Sequence, residues 1–114
     1  LGSAWLTETL SYKIYPAHAG LATILDCVLD IGRQHPIDPK KVKAVHVAAS
    51  PLACDTDARV RPYLAGPQTP TAPLAYSIAY NVAAAISDRE LSARQLIRDR
   101  IADPALWALA ERVH

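Results

Sequence analysis

The chain has 114 residues, of which 51% are hydrophobic and 20% are charged, and its formal net charge is +1. This size and composition predict one globular domain, and the near-neutral charge argues against binding to nucleic acid. We expect no membrane span, because no stretch approaches the ~20 apolar residues that a spanning helix needs. The first residues do not resemble a signal peptide. The absence of an initiating methionine suggests a processed chain or part of a longer one.

The two cysteines, Cys27 and Cys54, are too few for a disulfide scaffold and favour a reducing compartment, so we predict a cytoplasmic protein. Cys27 falls on the apolar face of a predicted helix, where we expect a buried and inert thiol. The neighbouring carboxylates of Asp55 and Asp57 make Cys54 a poor nucleophile. No cysteine or histidine pair has the spacing of a zinc site, so we predict no metal.

The first 48 residues are predicted to form a strand, a helix and a second strand. Residues 10–15 alternate in polarity as a strand does, and apolar residues recur at helical spacing over residues 17–31. Gly32 and Pro36 are predicted to end that helix. Residues 41–48 alternate again. Two strands joined by a helix through short connections form a βαβ unit or a split version of one.

The rest of the chain is predicted to be a long loop followed by helices. Residues 49–73 hold five of the nine prolines and show no helical period, so we expect a loop with at most one short helical turn after Pro51. An apolar stripe predicts a helix over residues 74–88, and a short polar helix follows over residues 92–100. Asp103 and Pro104 then open a last helix that runs to Val113.

Together these elements predict a single α+β domain over residues 1–114, in which a small sheet of at least two strands is packed by about four helices. It consists of a strand–helix–strand part (1–48), a long loop (49–73) and a helical part (74–114). Two strands leave a sheet edge unpaired. We therefore expect further strands from additional sequence or from a partner chain, and we expect an oligomer.

A candidate site lies at the corner between the first strand and the first helix. The sequence Lys13-Ile14-Tyr15-Pro16-Ala17-His18 places a cation and an imidazole five residues apart around a proline. Pro16 fixes its own φ and keeps Tyr15 out of the helical region, so the strand should end there. Side chains from the strand end and from the first helical turn can face one cleft, where a lysine binds a carboxylate and a histidine moves a proton.

Five segments carry patterns that occur together, in this order, in one enzyme family. They are the approach to K-x-(Y/F)-P (6–15), P-A-H (16–18), I-D-P-x-x-I-x-x-V-x-V (37–47), F-S-x-x-Y-x-V-A-x-A (74–85) and D-P-x-(V/L)-x-x-L-A-x-(R/K)-V (103–113). Each pattern alone is moderately specific, but their order and spacing are distinctive. The chain therefore resembles the MmgE/PrpD family, which contains 2-methylcitrate dehydratase, cis-aconitate decarboxylase and iminodisuccinate epimerase. The P-A-H segment resembles the decarboxylase branch.

The resemblance implies that the chain is the smaller α+β lid domain, which closes over a larger helical domain with the active site between them. It also implies a reaction on a small di- or tricarboxylate without a metal or an organic cofactor. Proton abstraction followed by elimination, as in 2-methylcitrate dehydratase, is the first expectation, and decarboxylase-like or epimerase chemistry is the alternative. The helical domain or subunit would be the required partner, because its own acid and base residues have no counterpart here.

By position in these motifs, Lys13, His18 and Tyr80 are the implied catalytic residues, and Lys13 is also implied to bind a substrate carboxylate. Arg59 and Arg61, in the predicted loop, are further candidates for steering a polycarboxylate. Relatives often carry a basic residue where Ala75 stands here, so the resemblance does not fix the substrate.

Each of these residues also has a structural interpretation. A strand-end lysine is commonly solvated, a histidine near a helix start can be a partly buried cap, and a helix tyrosine can satisfy its hydroxyl with one partner. Loop arginines are usually solvated. His46 alternates with valines on the second predicted strand, which favours a structural role. The whole chain is alternatively a non-catalytic assembly or binding module that has kept the lid fold.

Overall fold

The computed structural model describes residues 2 and 5–114. Its α-helices are joined by connections that include single 3-10 turns, and the longest connection between them, residues 35–50, links the first two. The described residues contain six α-helices: α1 (Ala22–Gln34), α2 (Pro51–Val60), α3 (Thr71–Leu74), α4 (Ile78–Asp88), α5 (Arg98–Ile101) and α6 (Pro104–Ala110). Their 3-10 turns are Leu6–Thr9, Ala19–Leu21, Pro39–Lys41, Arg61–Tyr63, Gly66–Gln68 and Ala93–Leu96.

The predicted α+β class is wrong, because the described part of the chain is helical and contains no sheet. Residues 10–15 pair with no strand there, and the second predicted strand is reduced to one isolated parallel bridge between Val45 and Val113. The Val45 N–H donates to the Arg112 carbonyl at 2.8 Å, and the His114 N–H donates to the Val45 carbonyl at 2.8 Å. Alternating polarity predicts an extended backbone, and it does so here, but it cannot supply the neighbouring strands that a sheet requires.

Helix α4 forms the centre of the molecule. Every residue from Tyr80 to Ile86 is buried, so this helix has apolar contacts on all its faces. Helices α1 and α6 pack against it, and they contribute Leu25 from α1 and Leu106 from α6 to the core. The helix begins at Ser77, whose side-chain oxygen accepts a hydrogen bond from the backbone N–H of Tyr80.

The predicted loop over residues 49–73 is also wrong, because most of it is helical. Helix α2 begins with Ser50, whose hydroxyl oxygen accepts from the Ala53 N–H, and with Pro51 at the first helical position. Both are standard start signals of a helix. The many prolines of this range favour a loop, although a proline at the first position of a helix costs no hydrogen bond.

The remaining helix predictions are confirmed in part. Asp103 caps α6 by accepting from the Ala105 N–H, with Pro104 as the first helical residue, as predicted, but the helix ends at Ala110. Helix α1 passes Gly32 and ends at Gln34. The predicted helix over residues 92–100 is a 3-10 turn and then α5, separated at Ile97, which has an extended backbone.

A polar cluster around Arg100 holds the C-terminal helices to α4. The Arg100 guanidinium donates to both oxygens of Asp88, to Asp103 and to the Ser87 hydroxyl. Burial tends to raise the pKa of Asp88, but the hydrogen bonds from Arg100 and Gln95 outweigh it and lower that pKa below its ordinary value. Within the described residues, no helix has both the length and the apolar character needed to cross a membrane.

Candidate functional site

Lys13 and His18 line the same surface cavity. Its volume is about 280 Å³, and Tyr12, Ile14 and Tyr15 also form its walls. Lys13 is exposed and His18 is half-buried, so both can meet a ligand that enters from solvent. The described residues that line this cavity include no aspartate or glutamate. The Lys13 ammonium is therefore not neutralised by a carboxylate in the cavity wall, which suits the site to an anion.

His18 is held at the cavity wall by two backbone contacts. Its own N–H donates to the Ala75 carbonyl at 2.6 Å, and its Nδ1 accepts from the Gly20 N–H at 3.2 Å. A neutral imidazole that accepts at Nδ1 carries its proton on Nε2. The histidine is thus the cap of the turn before α1, as the structural interpretation predicts, and it still presents a ring to the cavity.

The close approach of Gly20 to His18 leaves little room for a side chain. A Cβ atom built on Gly20 would lie 3.1 Å from the His18 Nδ1. Tyr76 flanks the same imidazole, with the two ring centroids 5.4 Å apart. Neither Gly20 nor Tyr76 is a candidate from the sequence. The contact of Gly20 with His18 depends on the turn before α1, and that of Tyr76 depends on the corner before α4.

Tyr15 anchors the segment that carries Lys13. Its hydroxyl donates to the Asp26 Oδ1 at 2.5 Å, which ties the segment to α1. The hydrogen bond to Asp26, assisted by burial, raises the pKa of Tyr15 above its ordinary value. The resemblance includes Tyr15 only as part of a motif. No sequence pattern identifies Asp26, eleven residues further along the chain, as the partner of Tyr15, because the pairing depends on how the chain turns at Pro16.

Tyr80 does not line the cavity of Lys13 and His18. Its side chain is fully buried, its hydroxyl donates to the Gln95 carbonyl, and its ring lies 5.4 Å from that of Trp107. Burial raises the pKa of Tyr80 to about 12. This environment makes the phenol a core hydrogen-bond donor. The structure therefore brings together two of the three residues implied to be catalytic.

Arg59 lies on α2 and Arg61 directly follows it, and each pairs with an aspartate of α2 one helical turn earlier. The Arg59 Nε donates to Asp55 at 2.9 Å, and the Arg61 Nε donates to Asp57 at 2.8 Å. Arg61 lines a second cavity, of about 430 Å³, together with Asp57. Both arginines are therefore already engaged by carboxylates, and Arg61 faces a different cavity from that of Lys13.

Two further observations concern metals and cysteines. Among residues 2 and 5–114, no group of three or more histidine, cysteine, aspartate or glutamate side chains could hold a metal ion. Cys27 is exposed, so the prediction of a buried thiol is wrong. The apolar residues of α1 reach beyond the stripe that contacts the core, and Cys27 lies on that outer part.

Comparison with known families found one match. The sequence model described as the MmgE/PrpD C-terminal domain covers residues 15–114. The matched range contains His18, Tyr80, Arg59 and Arg61, and it begins two residues after Lys13. Comparisons with curated proteins and with solved structures found no match.

Proposed function

Since the chain belongs to the MmgE/PrpD family, we propose that it is the lid part of an enzyme of this type that acts on a small di- or tricarboxylate. The proposed reaction begins with removal of a proton next to a carboxylate and continues by elimination. The observation that supports it best is the shared cavity of Lys13 and His18, which contains an ammonium group and an imidazole but no acidic wall residue.

Lys13 is proposed to bind a substrate carboxylate and to stabilise the negative charge that builds on it once the neighbouring proton is removed. A charge-assisted hydrogen bond of this kind contributes about 1.5–3 kcal/mol. Lys13 is better placed for this role than Arg59 or Arg61, because those two are already paired with carboxylates on their own helix.

His18 is proposed to act through Nε2. With Nδ1 accepting from the Gly20 N–H, the neutral ring has its proton on Nε2 and can donate a hydrogen bond from it. In an elimination, this hydrogen bond would hold the departing hydroxyl group and stabilise the charge that builds on it while the carbon–carbon double bond forms. The base that removes the substrate proton and the acid that protonates the hydroxyl group, so that it leaves as water, would then belong to the helical domain, which family membership implies as the partner of this domain.

Tyr80, the third implied residue, is proposed to support the site from the core and not to contact substrate. Its hydroxyl donates to the Gln95 carbonyl, and its backbone N–H donates to Ser77, the residue that caps α4. Ser77 lies two residues after Ala75, whose carbonyl accepts from the His18 N–H. Tyr80 therefore stabilises the beginning of the helix that follows the His18 contact.

The test uses the chain produced together with the helical MmgE/PrpD domain from its native source. The mixture is incubated with a panel of small di- and tricarboxylates in deuterated water and followed by proton NMR. Deuterium at the carbon next to a carboxylate reports proton removal whether elimination, decarboxylation or epimerisation follows. We expect exchange or product only when both parts are present. A mixture that leaves every substrate unchanged would refute the proposal.

Variants then assign the two residues. Lys13→Ala should lower kcat/KM about 10- to 100-fold, as the loss of one charged hydrogen bond predicts. His18→Ala should lower kcat about 10²- to 10³-fold, the usual cost of losing one hydrogen-bond donor to charge that develops in the transition state. Lys43→Ala is the matched control, because Lys43 is also an exposed lysine but lies outside the cavity. Equal activity of the His18 and Lys43 variants would remove His18 from the mechanism.

A non-catalytic assembly module with the lid fold is the second candidate function. The observation that favours it is that His18 is already satisfied as a cap and Tyr80 as a core residue. On this alternative, Lys13→Ala and His18→Ala leave association with the helical domain and the biological output unchanged. Leu25→Ala abolishes both, since it creates a cavity in the core.

A further inference from the structure

His46 and His114 lie side by side although they are far apart in the sequence. Their ring centroids are 5.8 Å apart, and the ring planes are tilted by 37°. The parallel bridge between Val45 and Val113 brings them together, because it places the residue after each valine in adjacent positions. Extended segments paired in this way lie about 4.8 Å apart. The fold therefore creates a histidine pair that no sequence spacing reveals.

Both imidazoles of this pair are open to solvent. Successive side chains of an extended segment point to opposite sides. Val45 and Val113 pack against the core, whereas His46 and His114 are exposed. Within the described part of the chain, a side-chain hydrogen bond engages the imidazole of His18, and none engages the rings of His46 and His114. Each of the two neutral rings thus has one nitrogen lone pair available to a ligand.

We infer that His46 and His114 together bind one divalent late transition-metal cation, such as Zn²⁺, Ni²⁺ or Cu²⁺. Neutral imidazole is the commonest metal-binding side chain and suits these ions. Each ligating nitrogen lies about 2.1 Å from such an ion, which places the centres of two rings on one ion roughly 5–6 Å apart. The observed separation of 5.8 Å falls in this range. The inference does not depend on the proposed function.

Water would fill the other coordination positions. Cys54 and Asp57 line the cavity that His114 borders, but no third histidine, cysteine, aspartate or glutamate of the described residues completes the site. The Asp57 carboxylate already accepts from the Arg61 Nε and the Ile78 N–H. A structural zinc site has four protein ligands. With two, the pair forms a site whose ion exchanges readily.

The arginines near the pair are directed elsewhere. Arg112 lies two residues before His114, but its guanidinium donates to the Val42 carbonyl at 2.6 Å and lines a different cavity. Arg61 lines the cavity of His114 and is paired with Asp57 at 2.8 Å. Neither guanidinium is therefore free to take up the place of a cation between the two rings.

A bound ion would join residues 112–114 to residues 45–47. Three backbone hydrogen bonds of 2.7 or 2.8 Å hold these two segments together. The two imidazoles meet only when these hydrogen bonds have formed, so the complete site exists in the folded chain alone. A ligand that binds the folded state and not the unfolded state stabilises the fold by mass action. The ion would therefore fasten the C-terminal segment and raise the thermal midpoint of unfolding.

The direct test observes the histidine rings. The full chain, produced without an oligohistidine tag, is titrated with Zn²⁺ at neutral pH, and proton NMR follows the ring C–H signals of its four histidines. We expect the signals of His46 and His114 to shift together and to saturate at one Zn²⁺ per chain. Those of His18 and His35 should stay unchanged. Calorimetric titration should give the highest affinity for Cu²⁺, the ion that nitrogen ligands bind most tightly in this series.

Variants assign the ligands. His46→Ala and His114→Ala should each weaken Zn²⁺ binding at least as much as the loss of an outer-shell partner does, about 10- to 100-fold. Each should also lose the rise in thermal midpoint that Zn²⁺ causes. Both side chains are exposed, so the midpoint without metal should stay that of the parent chain. His35→Ala is the matched control, because His35 is an exposed histidine outside the pair, and it should bind as the parent does.

Three outcomes would overturn the inference. The first is a titration in which excess Zn²⁺ shifts neither ring, which would leave an aromatic contact only. The second is a loss of affinity in one of the two histidine variants and not in the other, which would show that the rings do not share an ion. The third is a loss of affinity in Cys27→Ser, because Cys27 lines a groove together with His46 and would then be the true second ligand.

Discussion

Tyr80 shows how a residue's surroundings decide between a structural and a catalytic role. The motif that contains it implies a catalytic phenol, and the spacing of apolar residues correctly places it on a helix. The spacing alone does not show that all faces of α4 are buried, because that depends on α1 and α6 packing against it. A tyrosine on such a helix must satisfy its hydroxyl inside the protein, and the Gln95 carbonyl is the partner.

Replacement of Tyr80 by phenylalanine is expected to destabilise the fold. The change removes one hydrogen bond and leaves the Gln95 carbonyl unsatisfied, which costs about 1–3 kcal/mol. Urea unfolding at neutral pH measures this loss. Tyr63→Phe is the control, because Tyr63 is 65% exposed and should change the free energy of unfolding by less than about 0.5 kcal/mol. A Tyr80→Phe variant as stable as the parent would show that the core hydrogen bond contributes nothing.

The same substitution should alter stability at high pH. Tyr80 ionises near its ordinary pKa of 10.0 in the unfolded chain and at about 12 in the folded chain. Its contribution to stability is therefore complete below pH 10 and is lost as the pH rises towards 12. Tyr80→Phe should show a shallower decline across this interval. Tyr15 remains in both proteins, so the difference between the two profiles isolates Tyr80.

Lys13 and His18 could be proposed from the sequence because a proline fixes the local geometry. Pro16 forces a turn, and the residues on either side of it then face a common space whatever the rest of the fold does. The contacts of Tyr76 with His18 and of Asp26 with Tyr15 could not be proposed, because each is made across the fold and leaves no pattern in sequence spacing.

Among the elements, α2 and α4 are joined by a single buried carboxylate. Asp57 accepts from the Arg61 Nε on its own helix and from the Ile78 N–H at the start of α4, at 2.8 and 2.7 Å. A negative charge at a helix N-terminus is favourable, since the backbone N–H groups there lack partners. Asp57 therefore fixes the orientation of α2 although α2 buries few of its own residues.

Asp57→Ala is expected to cost about 1.5–3 kcal/mol, the range for hydrogen bonds to a charged group. Asp55→Ala is the matched control on the same helix. Its ion pair with Arg59 is largely exposed, and exposed pairs of this spacing contribute about 0.3–0.5 kcal/mol. Chemical unfolding of both variants gives the comparison. Similar losses for the two aspartates would mean that the Ile78 contact contributes little.

The loop prediction over residues 49–73 missed α2. Ser50 and Pro51 are a recognisable helix start, but no continuous apolar stripe follows them in α2. Only Ala53 and Asp57 of α2 are buried. A helix that is fixed by a buried carboxylate has a weak hydrophobic period, so a reading based on periodicity favours a loop.

The packing of the whole molecule predicts a gradient of local stability. Helix α4 is surrounded by core residues, whereas the described residues pair residues 44–48 along one edge only. We therefore expect the slowest amide hydrogen exchange in α4. The amide of His46 has no backbone partner among the described residues and should exchange faster than those of Val45 and Val47, which are paired. Equal protection of all three would contradict this gradient.

The α+β prediction failed because the predicted strands lack partner strands among the described residues. A strand is stabilised by its neighbours, and the described residues provide a single bridge to residues 45–47 and no partner strand to residues 10–14. Helix positions could be predicted better because each helix satisfies its own backbone hydrogen bonds.

Lys13 lies in an exposed peptide between residues 5–10, which expose Trp5, Leu6 and Leu10, and the anchored Tyr15. A trypsin-like protease that cuts after Lys13 would therefore remove the ammonium group from the cavity. One nick would then abolish anion recognition while the helical core stayed folded.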